Sequence, residues 1–367
     1  MIIGEVIVDI PCIITFARNV ENIKELPVIK ITMNNLLIQG DNVVAMKWLI
    51  DNGYKGKIDL VYIDPPFATG GTFAVDNDGR VATISKSNDG ELAYKDTLQG
   101  KDFIEFLKER IILIHELLSE QGSLYLHIDY KIGHYVKVML DEVFGIENFR
   151  NDITRIKCNP KNFARIGYGN IKDMILFYSK TKTPIWNHPS FEASEEDIAR
   201  LYQKIDHKGR RYTTVPIHAP GETNNGETNK QFKGIYPPKG RHWRCSVDEL
   251  ERLDSMGLIE WSKNGNPRKI NYADEHLSKK AQDVWDFKDS PNPIYPTEKN
   301  ADMLRFIIEA SSNPDSIVMD CFCGSGSTLF AADNCSRKWI GIDNSDVAIR
   351  ITKGRFSPFK VFRMLRK

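Results

Sequence analysis

The feature that most constrains the fold of this chain is a strand–helix alternation that stops once and then resumes. Over residues 33–180, and again over 291–356, short apolar runs rich in β-branched residues alternate with stretches of helical apolar period. The run at 58–63, for example, is too short and too β-rich for a helix. Such an alternation is typical of an open, mostly parallel sheet flanked by helices. The sequence therefore predicts an α/β, Rossmann-like domain assembled from two separate segments.

Two stretches break this alternation. Residues 68–98 lack a period and are rich in Gly, Asn, Asp, Ser and Thr, which predicts a long loop. Residues 181–290 are polar and interrupted by turns, and within them the window 200–280 carries 16 Lys and Arg against 10 Asp and Glu, a net charge of +6. Because the whole chain is only +1, the remainder sums to −5. Charge segregated in this way indicates a module that meets a polyanion.

A glycine turn lies between a predicted strand at 316–320 and a predicted helix near 327–335. It reads Phe-Cys-Gly-Ser-Gly at 322–326, and glycines at such a turn let a nucleotide approach the backbone amides of the helix start. A dinucleotide fingerprint would need a third glycine where Leu329 stands, which disfavours NAD. Asp343 ends the next predicted strand, where an acid can bind ribose hydroxyls. A tight turn without a ligand stays open for the glycines taken alone.

The tetrapeptide Asp64-Pro65-Pro66-Phe67 directly follows the predicted strand 58–63. An exocyclic amino group on a base is a poor nucleophile, because its lone pair is delocalised into the ring. A carboxylate and a backbone carbonyl can accept its two N–H bonds, and prolines hold such carbonyls in place. Phe67 offers a face on which an unpaired base can stack. A rigid turn that ends a strand is the plainer alternative.

Both motifs, in this order, resemble the catalytic and cofactor motifs of S-adenosylmethionine-dependent DNA amino-methyltransferases of the permuted β group. The Pro-Thr-Glu-Lys at 296–299 is similar to that family's Pro-Thr-x-Lys element, and the Gly-Asp at 40–41 is similar to its acidic position near the cofactor adenine. Phe67 stands where tyrosine is commoner. The resemblance covers 33–180 and 291–356, and it implies a Rossmann-like methyltransferase fold with S-adenosylmethionine as cofactor. It assigns cofactor contacts to Asp41, Thr297, Lys299, Asp320, Phe322, Gly324, Gly326 and Asp343.

The resemblance also implies a reaction and a division of the chain. Within the family, Asp-Pro-Pro usually accompanies N6-adenine methylation and Ser-Pro-Pro usually accompanies N4-cytosine methylation. Catalysis is therefore assigned to Asp64, Pro65, Pro66 and Phe67, acting on an adenine flipped out of double-stranded DNA. Residues 181–290 become the target-recognition region, 1–32 an N-terminal extension and 357–367 a basic tail. Predicted DNA contacts are Arg241, Trp243, Arg244, Arg268 and Lys269.

Three other functions stay open from the sequence. N4-cytosine methylation needs the same chemistry, because cytosine also presents an exocyclic amino group. Methylation of an RNA or of a protein amide uses a similar Pro-Pro turn, although the basic insert favours DNA. A non-catalytic DNA-recognition or cofactor-sensing subunit is disfavoured because the motif residues are all present. The layout also resembles the modification subunits of type III systems, so a cognate restriction enzyme and a homodimer are open questions.

Composition excludes several other classes. The chain has 41% hydrophobic and 27% charged residues, which is typical of a globular protein, and it lacks an apolar run long enough to span a membrane. Its 6 cysteines are unevenly spaced, which predicts reduced thiols and a cytoplasmic protein. Cys321 and Cys323 have no neighbouring histidine, so we expect buried thiols there and no metal site.

Overall fold

A computed structural model gives the structure of the chain. Residues described in full are 35–66, 100–160, 166–223, 226–275, 278–289 and 299–356. Elsewhere only strand backbone is described, at 2–8, 12–16, 28–33, 72–75, 81–83, 91–95 and 360–364. Two residues with predicted site roles, Phe67 and Thr297, lie outside the described residues.

The chain forms two compact units. The first comprises Met1–Pro189 together with Gln282–Lys367, and the second comprises Ser190–Ala281. The second unit lies within the segment 181–290, which the sequence sets apart by its polarity and its turns.

The secondary structure of the described residues is as follows. Numbered in chain order, the strands are β1 Ile2–Val8, β2 Cys12–Phe16, β3 Val28–Met33, β4 Asn35–Gln39, β5 Ile58–Ile63, β6 Thr72–Val75, β7 Val81–Thr83, β8 Glu91–Lys95, β9 Leu118–Ile128, β10 Phe149–Ile156, β11 Lys172–Ser179, β12 Ser190–Glu192, β13 Lys204–Ile205, β14 Arg211–Pro216, β15 His218–Pro220, β16 Arg241–Trp243, β17 Ile259–Trp261, β18 Pro267–Tyr272, β19 Ser278–Lys280, β20 Val284–Trp285, β21 Ile317–Asp320, β22 Lys338–Asp343 and β23 Lys360–Met364. The helices are α1 Asn42–Leu49, α2 Gly100–Leu117, α3 Tyr130–Phe144, α4 Glu195–Leu201, α5 Val247–Ser255, α6 Ala301–Ser311, α7 Ser327–Asn334 and α8 Asp346–Arg355. Shorter helical turns cover Ile50–Tyr54, Ile146–Asn148, Glu227–Asn229 and Ala273–Glu275.

The first unit is built on a large mixed sheet of ten strands in the spatial order β20-β10-β11-β9-β5-β21-β22-β4-β2-β23. Only β11 runs antiparallel to its neighbours, β10 and β9. The other neighbouring pairs are parallel. The predicted α/β, Rossmann-like fold with a mostly parallel sheet is therefore confirmed.

Apolar stripes on the helices hold them against this sheet. In α2, the side chains of Phe103, Leu107, Ile111 and Ile114 are at most 1% exposed, and their spacing of three to four residues places them on one helical face. They join the buried side chains of α1, β5 and β9 in one cluster. Full burial of each such side chain contributes about 1.5–3 kcal/mol. Within the described part of the chain, no helix is both long and apolar enough to cross a membrane.

The carboxyl ends of β5 and β21 form a switch point in this sheet. From β5 the chain goes on to β9 on one side, and from β21 it goes on to β22 on the other. The two strands are parallel neighbours, with Leu60 opposite Val318. Open α/β sheets bind ligands in the crevice that diverging connections leave at such a point. Both predicted motifs begin here, because Asp64 follows β5 and the glycine turn 322–326 follows β21.

The predicted loop 68–98 is partly wrong. Among its described residues are the strands β6, β7 and β8, which pair as an antiparallel three-stranded sheet. Each has only three to five residues. A two-residue period in runs this short does not stand out against polar, glycine-rich surroundings.

The second unit has its own sheet and its own core. Four strands pair antiparallel in the order β13-β14-β18-β17. Helix α5 begins after Ser246, whose hydroxyl accepts a hydrogen bond from the backbone N–H of Glu249. The buried members of its apolar cluster are Ile217, Phe232, Trp243, Val247, Leu250, Leu253 and Ile259.

Candidate active site

Asp64 is the first residue after β5 and lies at the switch point. Its side chain is 14% exposed, and its Oδ1 atom is buried without a hydrogen-bond partner in the part of the chain that the structure describes. Pro65 is buried and Pro66 is half-buried, so two fixed φ angles hold the backbone that follows the carboxylate. Leaving a buried acceptor unpaired costs about 1–3 kcal/mol. The unpaired oxygen is therefore an acceptor available to an N–H donor from a ligand.

Lys299 supplies a positive charge beside this carboxylate. Its Nζ lies 2.8 Å from Asp64 Oδ2, and its side chain is 11% exposed. The ammonium compensates the charge of a carboxylate that is largely withdrawn from water. The family resemblance predicts Lys299 at the cofactor, whereas the structure shows it on Asp64. The ion pair occupies Oδ2 and leaves Oδ1 for another partner.

Polar side chains continue from Asp64 into the interior of the sheet. His127, on β9, is fully buried, and its Nδ1 lies 3.9 Å from Asp64 Oδ1 and 3.0 Å from Tyr62 Oη. Its Nε2 lies 3.2 Å from Asp173 Oδ2, and Asp173 Oδ1 accepts from Lys157 Nζ at 2.6 Å. The sequence assigns no role to these side chains. The available signal is the presence of titratable residues inside otherwise apolar strands.

The protonation of this group follows from its surroundings. Burial, and next the charge of Lys299, lower the pKa of His127. Burial disfavours ionised Asp173, but donors from His127 and Lys157 outweigh it and hold the pKa of that carboxyl below its usual range. An ionised carboxylate only accepts hydrogen bonds, so Nε2 of the neutral imidazole carries the hydrogen and Nδ1 is a bare acceptor. The hydroxyl of Tyr62 therefore donates to Nδ1.

The glycine turn has a backbone that other residues rarely adopt. Gly324 has a φ of 51° and Gly326 a φ of 78°, both in the left-handed region. A Cβ on Gly326 would lie 2.8 Å from Cγ2 of Thr352. Gly326 immediately precedes α7, whose start has no side-chain cap. The turn thus brings a bare backbone and the first amides of a helix to the crevice.

Two buried acids frame this turn. Asp320 accepts from the backbone N–H of Phe322 at 2.9 Å. Asp343 accepts from the N–H of Gly324 and of Ser345, each at 2.8 Å. Burial raises the pKa of Asp320 to about 7 and also raises the pKa of Asp343. Each carboxylate oxygen has a further lone pair, so both acids can still accept from a ligand's donors.

The connection between β4 and α1 reaches the same edge of the sheet. Asp41 caps α1, because its Oδ1 accepts from the backbone N–H of Val43 at 2.9 Å and of Val44 at 3.1 Å. The next residue, Asn42, donates from Nδ2 to the carbonyl of Cys321 at 3.0 Å. This bond ties the start of α1 to the glycine turn. The side chain of Asp41 is 51% exposed, so part of its carboxylate faces solvent.

The structure gathers most predicted cofactor residues at one edge. The carboxyl ends of β4, β5, β21 and β22 are neighbours there. The predicted residues on or just beyond these ends, or paired with them, are Asp41, Asp64, Lys299, Asp320, Phe322, Gly324, Gly326 and Asp343. Burial raises the pKa of both the Cys321 and the Cys323 thiol. Within the described ranges, no group of three His, Cys, Asp or Glu side chains is arranged to hold a metal.

Trp243, in the second unit, was predicted to contact DNA and instead lies in the core. Its side chain is 1% exposed, its Nε1 donates to the carbonyl of Lys230 at 2.9 Å, and its ring packs edge-on against Phe232. A buried indole presents no free face to a base. The predicted role of Trp243 is therefore corrected to a structural one.

The other predicted DNA contacts have two kinds of surroundings. Arg241 and Arg244 are exposed. Arg268 is half-buried, and its guanidinium donates to Thr214 Oγ1 at 2.9 Å and to the Thr214 carbonyl at 2.6 Å. Lys269 is also half-buried. Arg268 thus fastens β18 to β14, while the first two arginines leave their charge at the surface.

Known proteins with similar sequences are DNA-modifying enzymes. The family model N6_N4_Mtase, described as DNA methylase, matches residues 58–354. The chain is 43% identical over 329 residues to the Type II methyltransferase M.EcaI of Enterobacter cloacae, covering 88% of this chain and 69% of that protein. It is 27% identical over 335 residues to the Type III restriction-modification enzyme StyLTI Mod subunit of Salmonella typhimurium, covering 81% of this chain and 49% of the subunit. It thus spans about half of that subunit.

One similar solved structure is a crystal structure of an M1.HpyAVI–SAM complex. It has a TM-score of 0.44 and 17% sequence identity, with 87% of this chain and 97% of that chain covered.

Proposed function

The chain belongs to the DNA methylase family, and we propose that it methylates N6 of a specific adenine in double-stranded DNA. It is a DNA methyltransferase, and S-adenosylmethionine is its cofactor. The family name covers both N6 and N4 acceptors, so the adenine is the part that is proposed. N4 of cytosine is the rival acceptor.

Asp64 carries the proposal. In the family that the sequence resembles, Asp-Pro-Pro usually accompanies methylation of adenine and Ser-Pro-Pro that of cytosine. Asp64 has one oxygen on Lys299 and one buried, unpaired oxygen, which suits acceptance of one N6–H bond. A carbonyl of the Pro65–Pro66 turn accepts the other N6–H bond. Together these acceptors localise the nitrogen lone pair for attack on a methyl group.

The residues at the switch point fit S-adenosylmethionine. The left-handed glycines bring bare backbone to the crevice, and the unpaired Asp64 oxygen marks its catalytic side. Asp343 would accept from the ribose hydroxyls, and Asp41 would lie near the adenine. An ammonium has three donors, so Lys299 can hold Asp64 and still reach the methionine end with Thr297. When bound, the cofactor supplies an electrophilic methyl group on a sulfonium.

We assign the catalytic domain to 33–180 with 291–356, and target recognition to 181–290. The window 200–280 has a net charge of +6, which suits the phosphate backbone. Exposed Arg241 and Arg244 contact DNA directly, with Arg268 and Lys269 beside them. Because relatives include subunits named for restriction-modification, a cognate restriction enzyme belongs to the proposal, as does action in the cytoplasm.

Product analysis tests the acceptor base. Duplex DNA is incubated with the protein and methyl-labelled cofactor, and is then digested to nucleosides. Label on N6-methyladenine supports the proposal. Label on N4-methylcytosine would overturn the base while leaving a DNA methyltransferase.

Substitution of Asp64 tests the site. We expect Asp64→Ala to lose at least about a hundredfold in methyl transfer, because it removes a catalytic acceptor, while calorimetry still detects cofactor binding. Asp51→Ala, at an exposed carboxylate beyond α1, is the matched control. Full activity in Asp64→Ala would refute the assigned site.

A further inference from the structure

The buried pair behind Asp64 has a use in this reaction. We propose that His127, backed by Asp173, takes over the proton that Asp64 collects from the adenine amino group. The proposal rests on the proposed function, because Asp64 must be the first acceptor of that proton. His127 touches neither base nor cofactor, so it acts as a positioning residue and as a relay.

The polar side chains line up across five adjacent strands. Asp64 follows β5, His127 lies on β9, Asp173 on β11 and Arg155 on β10, and these strands are neighbours in that order. Arg155 is paired with Asp289, which follows β20. Burying ionisable groups is costly unless each finds partners. A row of such groups leading from the catalytic carboxylate is therefore more than packing.

The gap between Asp64 and His127 is set up for one proton. Asp64 Oδ1 lacks a hydrogen-bond partner among the described residues, and it faces His127 Nδ1 across 3.9 Å. Asp173 holds the imidazole with its hydrogen on Nε2, so Nδ1 presents a lone pair. Two acceptors that face each other have no bond to make until a proton arrives. An approach of about 1 Å would then give an ordinary hydrogen bond.

The step balances in atoms and electrons. When N6 attacks the methyl group, a C–N bond forms, the S–C bond breaks and N6 becomes positively charged. The N6–H bond then breaks, its electron pair returns to nitrogen, and the proton bonds to Asp64 Oδ1. Transfer to His127 Nδ1 restores the carboxylate and yields an imidazolium whose Nε2–H stays on Asp173. One proton then passes to water for each methyl group transferred.

The charges around His127 allow both capture and release of this proton. Asp64 and Asp173 favour the imidazolium, whereas burial and Lys299 disfavour it and lower its pKa. Tyr62, the other titratable group facing the ring, stays neutral because burial raises its pKa well above its usual value. A relay needs this balance, since a ring that kept the proton would block the next turnover.

Replacement of His127 by a side chain that cannot titrate tests the relay. The amide introduced by His127→Gln can donate to Asp173 but cannot carry a proton. Rapid-quench measurements follow the first methyl transfer, and stopped-flow with a pH indicator follows proton release. We expect the first transfer to stay within about twofold, while proton release and later turnovers slow at least about tenfold. Asp173→Asn, which removes the carboxylate that stabilises the imidazolium, should act in the same direction.

His115→Gln is the matched control. This half-buried ring packs edge-on against Phe144 at a centroid distance of 4.9 Å, and its replacement should leave both rates unchanged. Proton release at the wild-type rate in His127→Gln would overturn the relay. Equal slowing of methyl transfer and proton release would overturn it too, since a structural role has that effect. Full activity in Asp64→Ala would instead refute the proposed function.

Nitrogen NMR of the wild-type protein gives a test that needs no variant. The ring nitrogens of neutral His127 should show the hydrogen on Nε2 and a bare Nδ1. A hydrogen on Nδ1 would overturn the relay, because the site facing Asp64 would already be filled.

Discussion

Nζ of Lys299 lies 2.8 Å from Oδ2 of Asp64, so the two discontinuous segments of the catalytic domain meet in one ion pair. Asp64 ends the strand β5, and Lys299 shortly precedes α6, which leads into β21. Because β5 and β21 are neighbours, the residues that flank them share the crevice. The pair thus joins the catalytic motif to the segment that carries the cofactor motif.

Lys299→Met should lower the methylation rate more than the affinity for cofactor. Without the ammonium, the largely buried Asp64 carboxylate loses its charge partner, and we expect the rate to fall about ten- to a hundredfold. Single-turnover kinetics and calorimetric cofactor binding measure the two effects. Lys338→Met is the control, since that exposed lysine lies 3.9 Å from exposed Asp315. A larger loss of cofactor affinity than of rate would place Lys299 on the cofactor instead.

Gly326→Ala should destabilise the protein more than an alanine at another left-handed glycine. At Gly326, φ is +78° and the new Cβ would also meet Thr352 at 2.8 Å, so strain and clash together should cost about 2–4 kcal/mol. At Gly56, φ is +68° and no atom lies within 4 Å, so Gly56→Ala should cost about 1–2 kcal/mol. Denaturant unfolding gives both values. Equal losses would show that Thr352 yields without cost.

Local pattern was enough to predict the sheet but not the contacts between its ends. The run Ile58–Ile63 matches its predicted strand because a short, continuous apolar run is the usual signal of a strand buried on both faces. Lys299 was predicted at the cofactor because the motif carries no information on the neighbour order of β5 and β21. His127 gave no functional signal, because a single histidine in an apolar strand is normally structural. Its partner Asp173 lies two strands from β5, a distance that no local pattern encodes.

Asp320→Asn should change how stability depends on pH. Burial raises the pKa of Asp320 to about 7, so the folded protein binds this proton more tightly than the unfolded chain does. The wild type therefore loses stability as pH rises from about 4 to 7, whereas the uncharged amide does not follow that term. The variant should become relatively more stable across this window, by at most about 4 kcal/mol. Cofactor-free unfolding at several pH values measures the difference.

Asp302→Asn provides the comparison for that experiment, because the side chain of Asp302 is 71% exposed. Its stability should follow the wild type at every pH. If Asp320→Asn also tracked the wild type from pH 4 to 7, the carboxyl of Asp320 would titrate normally.

Trp243 and Arg244 are adjacent, yet their replacements should separate stability from DNA binding. Trp243→Ala removes a buried ring and should destabilise the second unit by about 3–5 kcal/mol. Arg244→Gln should leave unfolding unchanged and weaken DNA binding, with the slope of log affinity against log salt reduced by about 1 if it meets a phosphate. Thermal unfolding and fluorescence anisotropy at several salt concentrations give both quantities. Wild-type stability with weakened binding in Trp243→Ala would restore the indole as a DNA contact.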